Sequence, residues 1–237
     1  MTMILVLVAA MAAIQPPATK GEKVPPPIVD PGAYLGPAPI PADATFLFDG
    51  ASLDGWRALD GKAAQWACEK RLGGSMVAVP GKGNIVTTAE FGDAQIHVEF
   101  ATPVTAGEGQ DRGNSGVYIH GRYEVQVLDS YQSQTYPDGQ CGAIYGQAIP
   151  LVNVCRAAGV WQTYDIIFRA PRFEGDRKTA DAVITVFHNG VLIHDHVRVT
   201  GPTGGAHGKG EVAKGPLMLQ EHGHSVQFRN IWIRPLQ

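Results

Sequence analysis

The stretch GNSGVYIHGRYEVQVLDSY, residues 113–131, decides the fold of this chain. It contains two strand-like segments that are separated at Gly121. The second segment alternates apolar with polar side chains, with Tyr123, Val125 and Val127 apolar and Glu124 and Gln126 polar. Side chains alternate across a strand, so the apolar groups enter a core while the carboxylate and the carboxamide share the other face.

The acidic residue that follows this segment is Asp129. Its odd spacing from Glu124 puts it on the opposite face of a regular strand, but one β-bulge would return it to the same face. Tyr118 and Tyr131 add aromatic side chains nearby. A sheet face with carboxylates and aromatics is typical of a sugar-binding surface. The alternative is a solvated strand face that ends in a turn aspartate.

Length and composition favour one sizeable folded unit. The chain has 237 residues, of which 44% are hydrophobic and 17% charged, and β-sandwiches of this length commonly form one domain. The net charge is −3 and no basic patch is present. We therefore expect no nucleic-acid partner and a neutral or weakly charged ligand.

The N-terminus has the pattern of an export signal. Residues 1–17 read MTMILVLVAAMAAIQPP, with a short apolar core and an A-x-A site at residues 10–12. The apolar run is too short to span a bilayer, so we predict a signal peptide at residues 1–13 and no transmembrane segment. The protein would then be exported, to the periplasm or as a secreted protein. The alternative is an unprocessed N-terminus.

A proline-rich leader follows. Nine of the seventeen prolines lie between Gln15 and Pro41, in a segment with few large apolar residues. Such a composition predicts an extended, largely unpacked leader over residues 14–44. The folded domain is then expected over residues 45–237.

From Phe46 onward the pattern is one of strands and turns. Eleven segments read as strands, among them residues 94–101, 162–169, 182–188 and 191–199. Asn189-Gly190 between the last two predicts a tight hairpin. No window carries a long helical apolar stripe. We therefore predict an all-β fold, a two-sheet antiparallel jelly-roll sandwich.

The chain has three cysteines, Cys68, Cys141 and Cys155. In an exported protein, three cysteines suggest one disulfide and one free thiol. Cys141 and Cys155 flank a loop-like segment and are the preferred pair. No cysteine has a partner at metal-binding spacing, so a zinc–thiolate site is not expected.

Several motifs in one order resemble a known family. They are FLFDGASLDGW (46–56), the 113–131 stretch, GAIYG (142–146), GPLMLQEHG (215–223) and FRNIWIRPL (228–236). Together they resemble the 3-keto-disaccharide hydrolase domain family, formerly a domain of unknown function. The resemblance implies the concanavalin A-like lectin/glucanase fold and an exported enzyme acting on sugars oxidised at C3.

A 3-keto sugar can be cleaved by elimination. Its carbonyl acidifies the C2 hydrogen, so a base can remove this hydrogen while the glycosidic oxygen leaves C1, and water then adds back. The reaction needs a base, an acid, and donors or a cation for the enolate oxygen. Glu124, Asp129 and His222 are the candidate catalytic residues. Gln126, His120, Arg122 or a bound cation are candidates to hold the enolate.

Further candidates come from two other motifs. In LMLQEHGHS, Gln220 and His222 should share the face beside the Glu124 strand, although His222 could instead cap a turn. Tyr145 in GAIYG could stack on a sugar ring or pack in a loop. Asn114 could bind sugar hydroxyls or shape a turn. The candidate substrate-binding residues are Asn114, His120, Arg122, Gln126, Tyr145 and Gln220.

A divalent cation is a further possibility, since lectin-like sandwiches often carry calcium. Asp49, Asp54 and Asp111 are loop acids with suitable oxygen ligands, but the pattern does not assign a site.

Two rival functions remain at this stage. The pattern E-x-Q-x-x-D resembles the E-x-D-x-x-E strand of laminarinase-type β-glucanases, which need two carboxylates close together. Gln126 replaces the central acid, so ordinary retaining hydrolysis is less favoured. The other rival is a non-catalytic, lectin-like module that binds an oligosaccharide.

Overall fold

The computed structural model describes residues 23–70 and 73–237. The predicted signal peptide, residues 1–13, and the start of the leader, residues 14–22, lie outside the described residues. Two antiparallel sheets pack against each other, and a small two-stranded ribbon stands beside them. This confirms the predicted all-β sandwich.

The larger sheet has eight strands in the order β13-β12-β9-β6-β15-β4-β3, with β1 paired to β15. Their bounds are β1 Thr45–Phe48, β3 Ala67–Glu69, β4 Ser75–Val77, β6 Ala94–Ala101, β9 Gln162–Arg169, β12 Ala182–His188, β13 Val191–Val199 and β15 Gln227–Pro235.

The smaller sheet has five strands in the order β2-β5-β14-β7-β8. Their bounds are β2 Trp56–Ala58, β5 Ile85–Phe91, β7 Ser115–Ile119, β8 Tyr123–Val127 and β14 Gly215–Leu219. The ribbon pairs β10 Arg172–Glu174 with β11 Arg177–Ala180. The sequence pattern missed β2, β3, β10 and β11, because strands of three or four residues are too short to show alternation.

The core lies between the two sheets and takes apolar side chains from both. Ile96 and Phe168 from the larger sheet and Val117, Val125 and Leu217 from the smaller one are fully buried in one cluster. The hairpin predicted at Asn189-Gly190 joins β12 to β13, and both residues have the positive φ, 53° and 81°, that a type I′ turn requires.

Residues 113–131, the stretch quoted at the start, contain the β7–β8 hairpin at the edge of the smaller sheet. The Arg122 amide donates to the Ile119 carbonyl at 2.9 Å, so His120 and Gly121 are the two central turn residues. Both have positive φ, 55° and 65°. Tyr123, Val125 and Val127 enter the core as predicted. The other face of β8 is also buried, because loops cover it.

No residue in the described part of the leader, residues 23–44, is buried, although the leader contacts the domain at several points. Val29 donates to the Asn153 carbonyl, and the Asn153 amide donates to Pro27, both at 2.9 Å. Asn230 Nδ2 donates to the Ala38 carbonyl at 3.1 Å. The leader is therefore attached to a loop of the domain by backbone hydrogen bonds at Asn153, and to β15 by the Asn230 side chain, contacts that its composition does not reveal.

The leader buries a charged cluster on the outer face of the larger sheet. The Glu99 carboxylate accepts from the Tyr34 hydroxyl at 2.8 Å and from Arg229 Nε at 2.8 Å. The Arg229 guanidinium also stacks on Trp161, 3.8 Å from the ring centroid. Burial raises the pKa of Glu99, but hydrogen bonds, among them those from His97 and Arg229, outweigh it and lower the pKa to about 2. Tyr34 of the leader thus takes part in a buried charged cluster of the larger sheet.

Cys141 and Cys155 are free, buried thiols in this structure, so the predicted disulfide is not formed. Each thiol instead has polar partners in the core. Cys141 lies 3.2 Å from the Tyr164 hydroxyl, and Gln162 Nε2 donates to the Cys155 sulfur at 3.3 Å. The two thiols also interact with each other: burial raises the pKa of Cys141, and the Cys141 hydrogen bond lowers that of Cys155. The third cysteine, Cys68, is exposed.

Within the described ranges, no helix has the length and apolar character needed to cross a bilayer.

Candidate functional site

A cavity of about 460 Å³ opens on the outer face of the smaller sheet, and we call it the Glu124 pocket. The β7–β8 hairpin forms its floor, and four loop segments, before β7, after β8, before β14 and after β14, form its walls. The residues that line it are Gln110, Asn114, Tyr118, Glu124, Gln126, Tyr136, Tyr145, Gly204, Gly205, Gln220 and His222.

The pocket brings together six of the nine predicted catalytic and substrate-binding residues. These six are Asn114, Glu124, Gln126, Tyr145, Gln220 and His222. Glu124 and Gln126 share the outer face of β8, as their alternation predicted. Gln220 follows β14 and remains paired to β7, since its amide donates to the Gly116 carbonyl at 3.0 Å.

Asp129 is not in the pocket, contrary to expectation. The β7–β8 pairing is regular up to Val127, where β8 ends, and Asp129 lies beyond it in the loop that follows. Its buried carboxylate accepts from Arg112 Nε at 2.8 Å and from the Tyr131 amide at 3.1 Å. Asp129 therefore fixes the loop that follows β8.

His120 is also outside the pocket. Its positive φ directs the ring into the sandwich, where Phe91 and Phe168 pack edge-on against it, with ring centroids at 5.2 and 4.6 Å. The ring is fully buried, and this burial lowers the pKa of His120. A neutral core histidine of this kind cannot contact a ligand in the pocket.

Arg122 holds a loop instead of lining the pocket. Its Nε donates to the Gly210 carbonyl at 2.7 Å, and its carbonyl accepts from the Thr203 amide at 2.9 Å. Thr203 Oγ1 in turn accepts from the Glu124 amide at 3.0 Å. Arg122 thereby fixes the loop whose Gly204 and Gly205 form one wall of the pocket.

Glu124 is the one carboxyl among the lining residues, and it is 2% exposed. Burial raises the pKa of this carboxyl from 4.5 to about 8, and a hydrogen bond with the Tyr118 hydroxyl offsets part of the effect. Glycine at position 116 makes room for it, because a Cβ there would collide with Glu124 Oε1. At neutral pH the pocket thus holds a largely protonated acid.

Carboxamides surround the carboxyl, and their orientation follows from their partners. Gln126 Nε2 donates to the Gly139 carbonyl at 3.3 Å and to Gln110 Oε1 at 3.1 Å. Tyr118 donates to the Gly204 carbonyl at 2.8 Å, so its oxygen must accept from Gln220 Nε2 at 3.1 Å.

The amide oxygens are consequently left for a ligand. Gln126 Oε1 and Gln220 Oε1 are buried and have no donor among the described residues. Buried acceptors of this kind are costly unless a donor reaches them. The pocket is therefore suited to a ligand rich in hydroxyl donors. The sequence had suggested Gln126 as a donor to an enolate oxygen. Its Nε2 already donates to two other acceptors, so it cannot take this role.

Two tyrosines form part of the rim beside the glycine wall. The hydroxyls of Tyr136 and Tyr145 are 2.6 Å apart, and their rings meet edge to face. One hydroxyl must donate to the other, so the pair retains one proton for a ligand. A Cβ at Gly204 would lie 3.5 Å from the Tyr145 ring, so this wall packs closely against the aromatic rim.

Five lining residues were not assigned to the site from sequence: Gln110, Tyr118, Tyr136, Gly204 and Gly205. A signal for Tyr118 was available, since a two-residue turn at His120-Gly121 pairs it with Glu124 across the hairpin. The other four lie in loops, where no periodicity predicts their direction.

A metal site formed by side chains does not emerge. Among residues 23–70 and 73–237, no group of three or more His, Cys, Asp or Glu residues could hold an ion. Of the acids considered for calcium, Asp49 accepts from the Ala51 amide at 2.9 Å, and Asp111 lies 3.3 Å from His224 Nε2.

The sequence profile of the 3-keto-alpha-glucoside-1,2-lyase-like domain matches residues 43–234. The chain belongs to this family. The match starts at the end of the leader and includes the whole of the Glu124 pocket. It confirms the resemblance read from the motifs. No curated protein matches the chain.

Solved structures of similar fold include proposed glycosyl hydrolases from Parabacteroides distasonis ATCC 8503. One is 40% identical, covers 86% of this chain and 94% of its own, and superposes with a TM-score of 0.76. A second is 19% identical, covers 82% and 94%, and has a TM-score of 0.62, which shows the fold alone. This family member is thus similar in sequence and fold to a proposed glycosyl hydrolase.

Proposed function

We propose that this domain cleaves the glycosidic bond of 3-keto-glycosides by acid/base elimination in the Glu124 pocket. The proposal rests on one observation: Glu124 is the single carboxyl group among the residues that line the pocket. Hydrolysis by a carboxylate pair needs a second acid close to the first, and Asp129 lies outside the pocket. Elimination needs only one acid and one base.

The pocket supplies a candidate for each role. Glu124, whose pKa is about 8, carries a proton at neutral pH and can deliver it to the glycosidic oxygen as the C1–O bond breaks. His222 has an exposed imidazole at the lining of the pocket and is the candidate base for the C2 hydrogen. The electron pair of the C2–H bond forms the C2–C3 double bond of an enolate. When the C3 carbonyl re-forms, this pair moves to the C1–C2 double bond and the glycosidic oxygen leaves C1 with the proton from Glu124.

The enolate oxygen needs a hydrogen-bond donor during this step. The Tyr136–Tyr145 pair has one hydroxyl proton to offer, whereas His120 and Arg122 are engaged elsewhere. Gln126 Oε1 and Gln220 Oε1 would accept from the sugar hydroxyls. The tyrosine pair therefore takes the role that the sequence had suggested for His120, Arg122 or Gln126.

The test uses a chromogenic 3-keto-glucoside and its unoxidised parent. We expect release from the keto sugar alone, loss of release in Glu124→Gln, and exchange of the C2 hydrogen with solvent deuterium. Asp129→Asn serves as a comparison. Any loss of release in this variant should match the fraction of the protein that it leaves unfolded. Release from both sugars, or cleavage without C2 exchange, would contradict the elimination.

A non-catalytic, lectin-like module is the second candidate, supported by the donor-seeking amide oxygens. The raised pKa of Glu124 favours the enzyme, because a buried acid costs stability without helping a lectin. Binding to a glycan array without release from either sugar would favour the lectin.

We also propose that the protein is exported to the periplasm or secreted, with cleavage near residue 13. N-terminal sequencing of the processed protein from a cell fraction tests this. A chain that keeps Met1 and stays in the cytoplasm would contradict it.

A further inference from the structure

A second cavity, of about 790 Å³, lies between the leader and two loops of the domain, and we call it the leader pocket. Ile28, Asp30 and Tyr34 line it from the leader side. Tyr131 and Val160 line it from the domain side. Its volume lies in the range of small-molecule and oligosaccharide sites. The family profile begins at residue 43, so the leader wall comes from outside the matched region.

The most exposed aromatic side chain of this pocket, Tyr131, is fixed by hydrogen bonds to its backbone. Tyr131 is 39% exposed, yet its amide donates to Asp129 and its carbonyl accepts from Arg112 Nη2 at 3.3 Å. Arg112 and Asp129 are themselves an ion pair at 2.8 Å. The next residue, Gln132, has φ of 50°, a strained conformation for a residue other than glycine. The structure thus fixes a solvent-facing tyrosine that contributes little to the core.

Polar groups accompany the apolar wall. Asp30 Oδ1 accepts from the Gly32 amide at 2.8 Å, and its Oδ2 makes no hydrogen bond to a described residue. The Gln132 side chain is exposed at the rim. An exposed tyrosine beside a free carboxylate oxygen and a carboxamide offers a flat apolar surface together with partners for hydroxyls. This combination fits a sugar ring better than a purely apolar ligand.

The two pockets are close together along the chain. Gln132 lines the leader pocket and Tyr136 lines the Glu124 pocket. Four residues can span at most about 14 Å even when fully extended. An oligosaccharide of a few rings is long enough to span this distance.

We propose that the leader pocket is a second carbohydrate subsite, which holds the rings of an oligosaccharide remote from the bond at Glu124. The proposal rests on the carbohydrate ligand of the proposed function, but it does not need the elimination chemistry. Asp129 then has a defined role, because it positions Tyr131.

The test is calorimetric binding of unoxidised glucose oligosaccharides, from disaccharide to hexasaccharide in α- and β-linked series, to the full chain. We expect affinity to rise at least tenfold with length. Tyr131→Ala and Ile28→Asp should remove this rise and leave disaccharide affinity unchanged. Val104→Ala, an exposed position that lines neither pocket, is the matched control. Thermal unfolding confirms that each variant is folded.

The outcomes separate this subsite from the proposed function. An affinity that does not depend on length, no binding by either series, or a length effect that survives in folded Tyr131→Ala overturns the subsite. A length effect that this variant removes, in a protein that cleaves no keto sugar, supports the subsite and contradicts the enzyme.

Discussion

Tyr118 and Glu124 pair directly across the β7–β8 hairpin, with both side chains on the outer face of the sheet. The Tyr118 hydroxyl proton has two acceptors, the Gly204 carbonyl and the ionised form of Glu124. Gln220 Nε2 donates to the same oxygen. Tyr118 therefore links the acid on β8 to the glycine wall and to the end of β14.

Removing this hydroxyl should change the pH dependence of activity. The Tyr118 hydrogen bond lowers the pKa of Glu124, so Tyr118→Phe should raise this pKa above about 8. If Glu124 acts as the acid, activity falls as pH rises through its pKa, and this limb should move to higher pH. The measurement is kcat/KM against pH. Tyr123→Phe, whose hydroxyl bonds Glu211 outside the pocket, is the control. Coincident alkaline limbs for wild type and Tyr118→Phe would contradict the role of Glu124.

Glu124 should also affect stability. The unfolded chain loses this proton near pH 4.5, whereas the folded protein keeps it to about pH 8. The folded state binds more protons between these values, so the free energy of unfolding should fall as pH rises through this window. The fall is at most on the order of 5 kcal/mol, from the free energy that each pKa unit represents.

Glu124→Gln should lack this fall. Denaturant unfolding of wild type and variant across the same pH range measures the difference, and the variant should be the more stable at the alkaline end. Glu90→Gln, at an exposed position, is the control. Parallel curves for wild type and Glu124→Gln would show that the carboxyl is not buried as described.

Gly116 tests the position of the acid in another way. A Cβ at this residue would meet Glu124 Oε1 and the Tyr118 ring, so Gly116→Ala must displace the carboxyl. We expect a large loss of kcat and a loss of about 1–3 kcal/mol in stability from overpacking. Gly201→Ala is a matched control, since its Cβ would meet open space. Full activity in Gly116→Ala would place the reacting group elsewhere.

The contact of the leader with Glu99 should be measurable as stability. Tyr34→Phe removes a hydrogen bond to a buried carboxylate and should cost about 1.5–3 kcal/mol at neutral pH. The pKa of Glu99 is lowered to about 2, so its stabilising effect is present above pH 4.5 and is lost as pH falls toward 2. The difference between wild type and variant should shrink over that range. Leu35→Ala, at an exposed leader position, should unfold like wild type. Equal stability of Tyr34→Phe and wild type would mean that the leader is not held through Glu99.

The sequence was sufficient for features that depend on short-range order. Alternation predicted which side chains of β8 enter the core, and Asn189-Gly190 predicted a hairpin, because both patterns act over a few residues. The same alternation placed Glu124 and Gln126 together. The motif order identified the family, which the profile match over residues 43–234 confirms.

Longer-range contacts were not readable. The composition of the leader lacks large apolar groups and none of its described residues is buried, yet backbone hydrogen bonds attach it to Asn153 and Tyr34 attaches it to Glu99 of the larger sheet. Cys141 and Cys155 were paired from the number of cysteines and the loop-like segment they flank; the structure places the two side chains in contact and shows both as free thiols.

What the sequence by itself determined is therefore the sandwich class, the hairpin at Asn189-Gly190, and the polar side chains Glu124 and Gln126 on the outer face of β8. The tertiary structure alone decided which of those residues share a pocket. His120 and Arg122 sit at and beside a tight turn, and its positive φ values send the histidine into the core while Arg122 bonds the Gly210 loop. Asp129 lies beyond the end of β8, and its carboxylate bonds Arg112 outside the pocket. Backbone dihedrals at a turn and loop contacts distant in sequence set these directions, and neither leaves a periodic trace in the chain.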